Sequence, residues 1–167
     1  MTWLPFDLHP EYPPEGIPRS RLLARYGEAH VGRLRSLFAA NGLGYNPHPE
    51  IVPNSLAALR LTELARDSGR HQKLHDGLME AYWERGEDIG DHDVLRRHAA
   101  AAGLPEEDVH RVLAGDDYLD RVHSSTADAQ RAGVSGVPAF VLDSRLLVLG
   151  AQPREAFERA FAQLEAA

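Results

Sequence analysis

A long helical pattern between short strand candidates is the feature that most constrains how this chain can fold. Across residues 20–117, apolar residues recur every three or four positions, which is the spacing of amphipathic helices. Strands are predicted only outside this block, at residues 3–8, Ala139–Leu142 and Leu146–Leu149. The order strand, helical block, helix, strand, strand, helix predicts an α/β protein in which helices interrupt the strands.

Capping residues and prolines set the expected helix limits. The first helix is predicted from about residue 19 to residue 41, where Gly42 supplies a left-handed C-cap. Asn54 or Ser55 is the expected N-cap of the next helix. Pro153 begins a final helix near the C-terminus, and its expected buried stripe consists of Ala156, Phe157, Ala160, Phe161 and Leu164.

Composition and charge exclude several classes of partner. The chain has 167 residues, of which 43% are hydrophobic and 26% charged, as in soluble globular domains. Its net charge of −7 argues against a nucleic-acid partner, because phosphates require a basic face. No apolar run approaches the ~20 residues of a membrane span, and the N-terminus carries no signal-peptide pattern. We therefore expect a cytoplasmic protein with no membrane partner.

The chain contains no cysteine, and this limits its chemistry. Disulfides, thiolate metal ligands and thiol catalysis are all excluded. His71 and His75 stand four residues apart on a predicted helix, close enough to share a metal ion, but the sequence marks no third ligand. We expect both to be surface histidines, and we predict neither a metal site nor a cofactor.

Four separated stretches of the chain resemble one known family. They are Trp-Leu-Pro-Phe-Asp-Leu-His-Pro with Pro-Pro-Glu-Gly (3–16), Pro-Asn-Ser-Leu-Ala-Ala-Leu-Arg-Leu (53–61), Gly-Asp-His-Asp-Val-Leu (90–95), and a segment (133–153) that contains Gly-Val-Ser-Gly-Val-Pro-Ala-Phe-Val-Leu. In order and spacing they resemble the DsbA-like branch of the thioredoxin superfamily, and within it the FrnE-like group.

The resemblance implies an α/β, thioredoxin-like (DsbA-like) fold with an all-helical insertion and with the first βα unit absent. A truncated thioredoxin-like core would comprise residues 1–18 and 115–167, and the helical insertion domain would comprise residues 19–114. The family activity is that of a thiol-disulfide oxidoreductase or isomerase. Its Cys-x-x-Cys turn would precede Trp3, so the chain as given is expected to be redox-inactive, with no catalytic residue of its own.

The resemblance also implies a binding site. It implies a cis peptide bond between Val137 and Pro138, in a loop that offers backbone groups to an extended peptide or a small thiol. Val137 and Pro138 are therefore the expected substrate-binding residues. The region that matches Asn54 approaches the cleft in the related glutathione-binding branch, so Asn54 is a candidate contact as well as a helix cap.

Two explanations of the missing cysteines stay open, and so do two further functions. A start assigned downstream of the true one would explain the missing segment, and a genuine cysteine-free paralogue is the alternative. The alternative functions are a peptide- or small-ligand-binding module and a glutathione-using isomerase-like protein. The strand that the family places at the centre of its sheet would be replaced by residues 1–8, by a strand from a second copy in a homodimer, or by collapse of the sheet.

Overall fold

The structure is a computed structural model that describes residues 1–166. Within that range the chain forms eight helices and two separate two-stranded sheets. The elements are β1 (Ile17–Pro18), α1 (Arg19–Tyr26), α2 (Glu28–Ala40), β2 (Ile51–Val52), α3 (Leu56–Asp67), α4 (His71–Trp83), α5 (His92–Ala102), α6 (Glu106–Ala114), α7 (Leu119–Arg131), β3 (Ala139–Leu142), β4 (Leu146–Leu149) and α8 (Arg154–Glu165). The helix-rich α/β architecture that the sequence predicts is confirmed.

Helix α3 is the centre of the hydrophobic core. It packs against α4, α5, α6 and α7, and seven of its twelve residues are buried. The largest fully buried side chains of this cluster come from four different helices: Leu61, Leu74, Leu78, Leu95 and Val112. Their burial follows the three- and four-residue apolar spacing, which turns one stripe of each helix inward.

Residues 19–40 form two helices, so the expectation of one continuous helix is wrong. Gly27 lies between α1 and α2 with φ 75° and ψ 163°, a backbone conformation that is readily available only to glycine. Neither helix contains a buried residue, and Leu37 is 49% exposed. The predicted end of α2 is correct: Gly42 has φ 70°, and the Leu43 and Gly42 amides donate to the carbonyls of Phe38 and Ala39.

The N-terminal segment is not a strand, which corrects the prediction for residues 3–8. Its backbone finds partners on α7 instead of on a neighbouring strand. The Asp7 amide donates to Thr126 Oγ1 (2.9 Å), and Ser125 Oγ donates to the Pro5 carbonyl (2.7 Å). These two bonds hold the segment against α7 without a sheet.

The first sheet, β1–β2, was not predicted, because each strand has only two residues. Ile17 pairs with Val52 and Pro18 pairs with Ile51 in antiparallel register. Gly16 precedes β1 with φ 77°, and a Cβ there would lie 2.5 Å from the Val52 carbonyl oxygen. Glycine at this position therefore permits the proline-rich segment to approach β2.

The C-terminal strands and helix form a separate unit of local contacts. Strands β3 and β4 have the predicted limits and pair as an antiparallel hairpin. Phe157 of α8 packs edge-on against Phe140 of β3, with ring centroids 4.9 Å apart. The predicted stripe of α8 is only partly correct, because Ala160 is buried whereas Phe161 is 52% exposed. The two-stranded sheet is too narrow to cover that side chain.

Candidate ligand-binding site

The loop of residues 133–138 is anchored at both ends and open in the middle. At its start, the amide of Val134 donates to the Ala129 carbonyl at the end of α7 (2.9 Å), and the Val134 side chain is buried. At its end, the Pro138 carbonyl accepts a hydrogen bond from the Gly150 amide (2.7 Å), which ties the loop to the strand hairpin. Anchoring at both ends holds the intervening residues in a defined position.

The middle of this loop faces outward. The Val137 side chain is 53% exposed, and the Val137–Pro138 peptide bond is cis, as the resemblance implied. Within residues 1–166, no internal hydrogen bond engages the backbone of Ser135, Gly136 or Val137. An exposed apolar side chain beside available backbone donors and acceptors can receive an extended ligand.

Asn54 has a clear structural role at the start of α3. Its Oδ1 accepts a hydrogen bond from the Leu56 amide (2.8 Å), and its Nδ2 donates to the Tyr12 carbonyl (2.8 Å). The side chain thus caps the helix and fixes the proline-rich segment against it. Asn54 lines a shallow depression of about 140 Å³ that does not include Val137 or Pro138. The structure therefore does not bring the three predicted site residues into one cavity.

A groove that the sequence reasoning missed lies between the proline-rich segment and α1. It has a volume of about 350 Å³, and its lining includes Tyr12, Ile17, Arg21 and Arg25. The two arginines stand four residues apart on α1, so they occupy the same side of that helix. This spacing is the signal by which the groove could have been found.

The histidines singled out in the sequence have local structural contacts. His71 and His75 stack on each other with ring centroids 5.6 Å apart, and Trp3 packs on His75 at 5.0 Å. Burial lowers the pKa of both imidazoles. Across the described residues 1–166, no group of three or more histidine or acidic side chains could hold a metal ion.

Two carboxylates outside the loop have shifted pKa values. Burial raises the pKa of Asp7, whose carboxylate accepts a hydrogen bond from the His9 amide (3.3 Å). Burial would also raise the pKa of Glu87, but hydrogen bonds from His98, Arg97 and Arg85 outweigh burial and lower this pKa to about 2. Glu87 lies beyond the end of α4 and reaches α5, so its role is to join two helices and not to serve the loop.

Comparison with known proteins places this geometry in a family. Residues 1–162 match the model of the DsbA-like thioredoxin domain. The chain belongs to this family, and its fold is the DsbA-like thioredoxin fold with a large helical component.

Two solved structures and one further relative resemble the chain over most of its length. A probable DsbA oxidoreductase from Streptomyces coelicolor is 33% identical, with a TM-score of 0.85 over 95% of this chain and 72% of the other. A candidate protein disulfide isomerase from Nitrosomonas europaea is 20% identical, with a TM-score of 0.66 over 82% of this chain and 72% of the other. The "uncharacterized protein YwbO" of Bacillus subtilis is 22% identical over 163 residues, which cover 96% of this chain and 80% of that protein.

No helix in the described part of the chain combines the length and the apolar character that a membrane crossing requires.

Proposed function

We propose that this chain is a redox-inactive member of the DsbA-like family that binds extended peptides at the loop of residues 133–138. The observation that carries the proposal is the 53% exposed Val137 on an anchored loop, in a chain that contains no cysteine. The loop supplies residues that can bind a ligand, whereas the chain lacks the cysteines that disulfide exchange requires.

Peptide binding rests on the backbone of the loop. An extended peptide that adds to the loop can pair with the backbone groups of Ser135, Gly136 and Val137, as strands do at the edge of a sheet. The exposed side chain of Val137 offers apolar contact area to an apolar residue of the ligand. We therefore expect the loop to prefer extended apolar segments.

Redox inactivity follows from the chemistry of exchange. A disulfide exchanges when a thiolate attacks one of its sulfur atoms, and none of the 167 residues supplies a thiol. The oxidoreductase function named for the Streptomyces protein therefore has no nucleophile among the residues of this chain.

Three finer assignments form part of the proposal. Within the family we assign the chain to the FrnE-like group, on the four sequence stretches described above. We assign residues 19–114 to a helical insertion between core segments 1–18 and 115–167, since the largest buried cluster lies among α3–α6. The proposed location is the cytoplasm, and fractionation of the producing cells tests it.

A binding assay with a matched control tests the proposed function. The probe is a fluorescein-labelled extended peptide of alternating valine and serine, followed by fluorescence anisotropy with and without a reductant. Val137→Asp should weaken binding by about tenfold or more, because it places a charge against the apolar segment. Leu43→Asp is the control: Leu43 is 52% exposed on another surface, and its substitution should leave the affinity unchanged.

Two other results would overturn the proposal. Binding of glutathione but not of the peptide, measured by calorimetry, would assign the loop to a small thiol. Measurable acceleration of insulin reduction by the chain would contradict its redox inactivity.

A further inference from the structure

Hydrogen bonds hold both walls of the groove between the proline-rich segment and α1. In the segment, the Gly16 amide donates to the Pro13 carbonyl (2.9 Å), and the side chain that caps α3 also bonds to this segment. At the start of α1, the Arg19 amide donates to the Glu50 carbonyl (2.7 Å) and Arg19 Nη2 donates to the Ile51 carbonyl (3.1 Å). Walls that are already ordered cost little entropy when a ligand binds.

Most of the groove lining is apolar or aromatic. These side chains belong to Tyr12, Pro13, Ile17 and Leu22. Ile17 is buried, and Tyr12 and Leu22 are half-buried, so a ligand would meet apolar surface that is already partly shielded from water. The volume of about 350 Å³ is in the range of sites for small organic molecules.

The charged side chains of the groove are two arginines and one glutamate. Arg21 and Arg25 are exposed, and no carboxylate in residues 1–166 pairs with either of them. Glu11 instead bonds through its carboxylate to His9 Nδ1 (3.0 Å). The Arg25 guanidinium lies 5.3 Å from the centre of the Tyr26 ring, a contact that uses none of its N–H donors. Both guanidinium groups can therefore donate to an anion.

The local charge favours an anion, although the whole chain is acidic. Residues 19–40, which form α1 and α2, contain five arginines and one glutamate, whereas the net charge of the chain is −7. The lining itself carries one net positive charge, because Glu11 offsets one of its two arginines. A singly charged group balances this charge, and the Glu11 carboxylate opposes a second negative charge.

We propose that this groove binds a small monocarboxylate with an apolar or aromatic body. The carboxylate accepts hydrogen bonds from Arg21 and Arg25, and the body packs against the side chains of Tyr12 and Leu22. The loop of residues 133–138 does not contribute to the lining. The groove is therefore a second site, and its ligand does not depend on peptide binding at the loop.

A nuclear magnetic resonance titration of the ¹⁵N-labelled chain tests the ligand class. The probe is phenylacetate at pH 8, which should shift the amides of Tyr12, Ile17 and Leu22 with a dissociation constant of about 1 mM or below. Phenylacetamide, which lacks the charge, and acetate, which lacks the aromatic body, should each bind about tenfold more weakly or worse. Phenyl phosphate, which is doubly charged at this pH, should bind no more tightly than phenylacetate.

Substitutions test the assigned residues. Arg21→Gln and Arg25→Gln should each weaken phenylacetate binding about fivefold or more, because each removes a charged donor. Glu11→Gln should strengthen binding about two- to fivefold, because it removes the opposing charge. Arg33→Gln is the control, since Arg33 is exposed on α2 and lies outside the groove, and it should leave the affinity unchanged. Circular dichroism verifies that each variant keeps its helices.

Four results would overturn the proposal. Groove amides of the unmodified chain that do not shift at about 10 mM phenylacetate would exclude the site, whether or not any variant folds. Equal binding of phenylacetamide would exclude recognition of the charge, and tighter binding of phenyl phosphate would exclude a preference for a monocarboxylate. Equal weakening by Arg33→Gln and by the groove variants would show attraction by overall charge alone. None of these results bears on peptide binding at the loop, which the valine–serine peptide tests separately.

Discussion

Glu87 lies outside the candidate binding site, but we expect it to contribute to the free energy of unfolding. Its carboxylate receives hydrogen bonds from Arg85 (3.0 Å), Arg97 (3.1 Å) and His98 (2.9 Å) and so joins the segment after α4 to α5. Such a network is not visible in the sequence, because its donors lie up to 11 positions from Glu87 and only the fold brings them together. Burial opposes the charge, but the three donors lower the pKa of Glu87 to about 2.

Because of this network, the free energy of unfolding should depend on pH. Since the folded-state pKa lies below the ordinary value of 4.5, ionised Glu87 stabilises the fold above pH 4.5, and this contribution is lost as the pH falls towards 2. Glu87→Gln should lower the free energy of unfolding by about 1–3 kcal/mol at pH 7, and its difference from the unmodified chain should narrow as the pH falls from 4.5. Urea denaturation followed by circular dichroism measures both effects.

The exposed carboxylate Glu50 provides the control for this measurement. Glu50→Gln should change the unfolding free energy little at pH 7, because the side chain is exposed. A Glu87→Gln variant whose difference from the unmodified chain stays constant between pH 7 and pH 3 would contradict the account of the network.

The elements that the sequence predicted well are those whose ends are fixed by local chemistry. Gly42, the predicted C-cap of α2, has φ 70°, and Asn54, one of the two predicted N-caps of α3, accepts a hydrogen bond from the Leu56 amide. Both signals lie within a few residues of the helix end, so the sequence contains them. The break at Gly27 was missed because a single glycine inside a helical pattern is compatible with a continuous helix.

Non-local contacts explain the other differences between prediction and structure. The N-terminal segment looks like a strand, but its partners on α7 are more than 100 residues away. The same difference between local and non-local signals applies to the residues of the candidate site. Pro138 and Val137 were found through a local motif, whereas the satisfied side chain of Asn54 depends on Tyr12, 42 residues away.

Substitutions at two glycines should distinguish the cost of a positive φ angle from the cost of a steric clash. Gly16 (φ 77°) and Gly69 (φ 68°) have similar positive φ angles. A Cβ at Gly16 would lie 2.5 Å from the Val52 carbonyl oxygen, whereas nothing lies within 4 Å of a Cβ at Gly69. Gly69→Ala should therefore cost about 1 kcal/mol through its positive φ alone. Gly16→Ala should cost about 1–3 kcal/mol more, because β1 and β2 must also move apart. Thermal and urea unfolding measure the two values, and equal costs would contradict the close approach at β2.

The molecule as a whole divides into a well-packed helical part and a poorly covered C-terminal unit. The largest buried cluster lies in α3–α6 and the segments that join them, whereas the hairpin beside the binding loop has no buried residue. Sequence patterning predicted most of the helices in the first part and the two strands and the helix of the C-terminal unit, because their apolar residues are spaced as in helices and buried strands. It could not show which apolar faces stay exposed, since exposure depends on what packs against them.

Chemical-shift mapping of the ¹⁵N-labelled chain tests most directly the claim that this family member binds without redox chemistry. The chain is titrated with the unlabelled valine–serine peptide, once with and once without a reductant. We predict that the largest amide shifts occur at Ser135, Gly136 and Val137 and are identical under both conditions. If the amides of this loop do not shift, or if the shifts are confined to the groove beside Arg21 and Arg25, the proposed binding of peptides at the loop is contradicted.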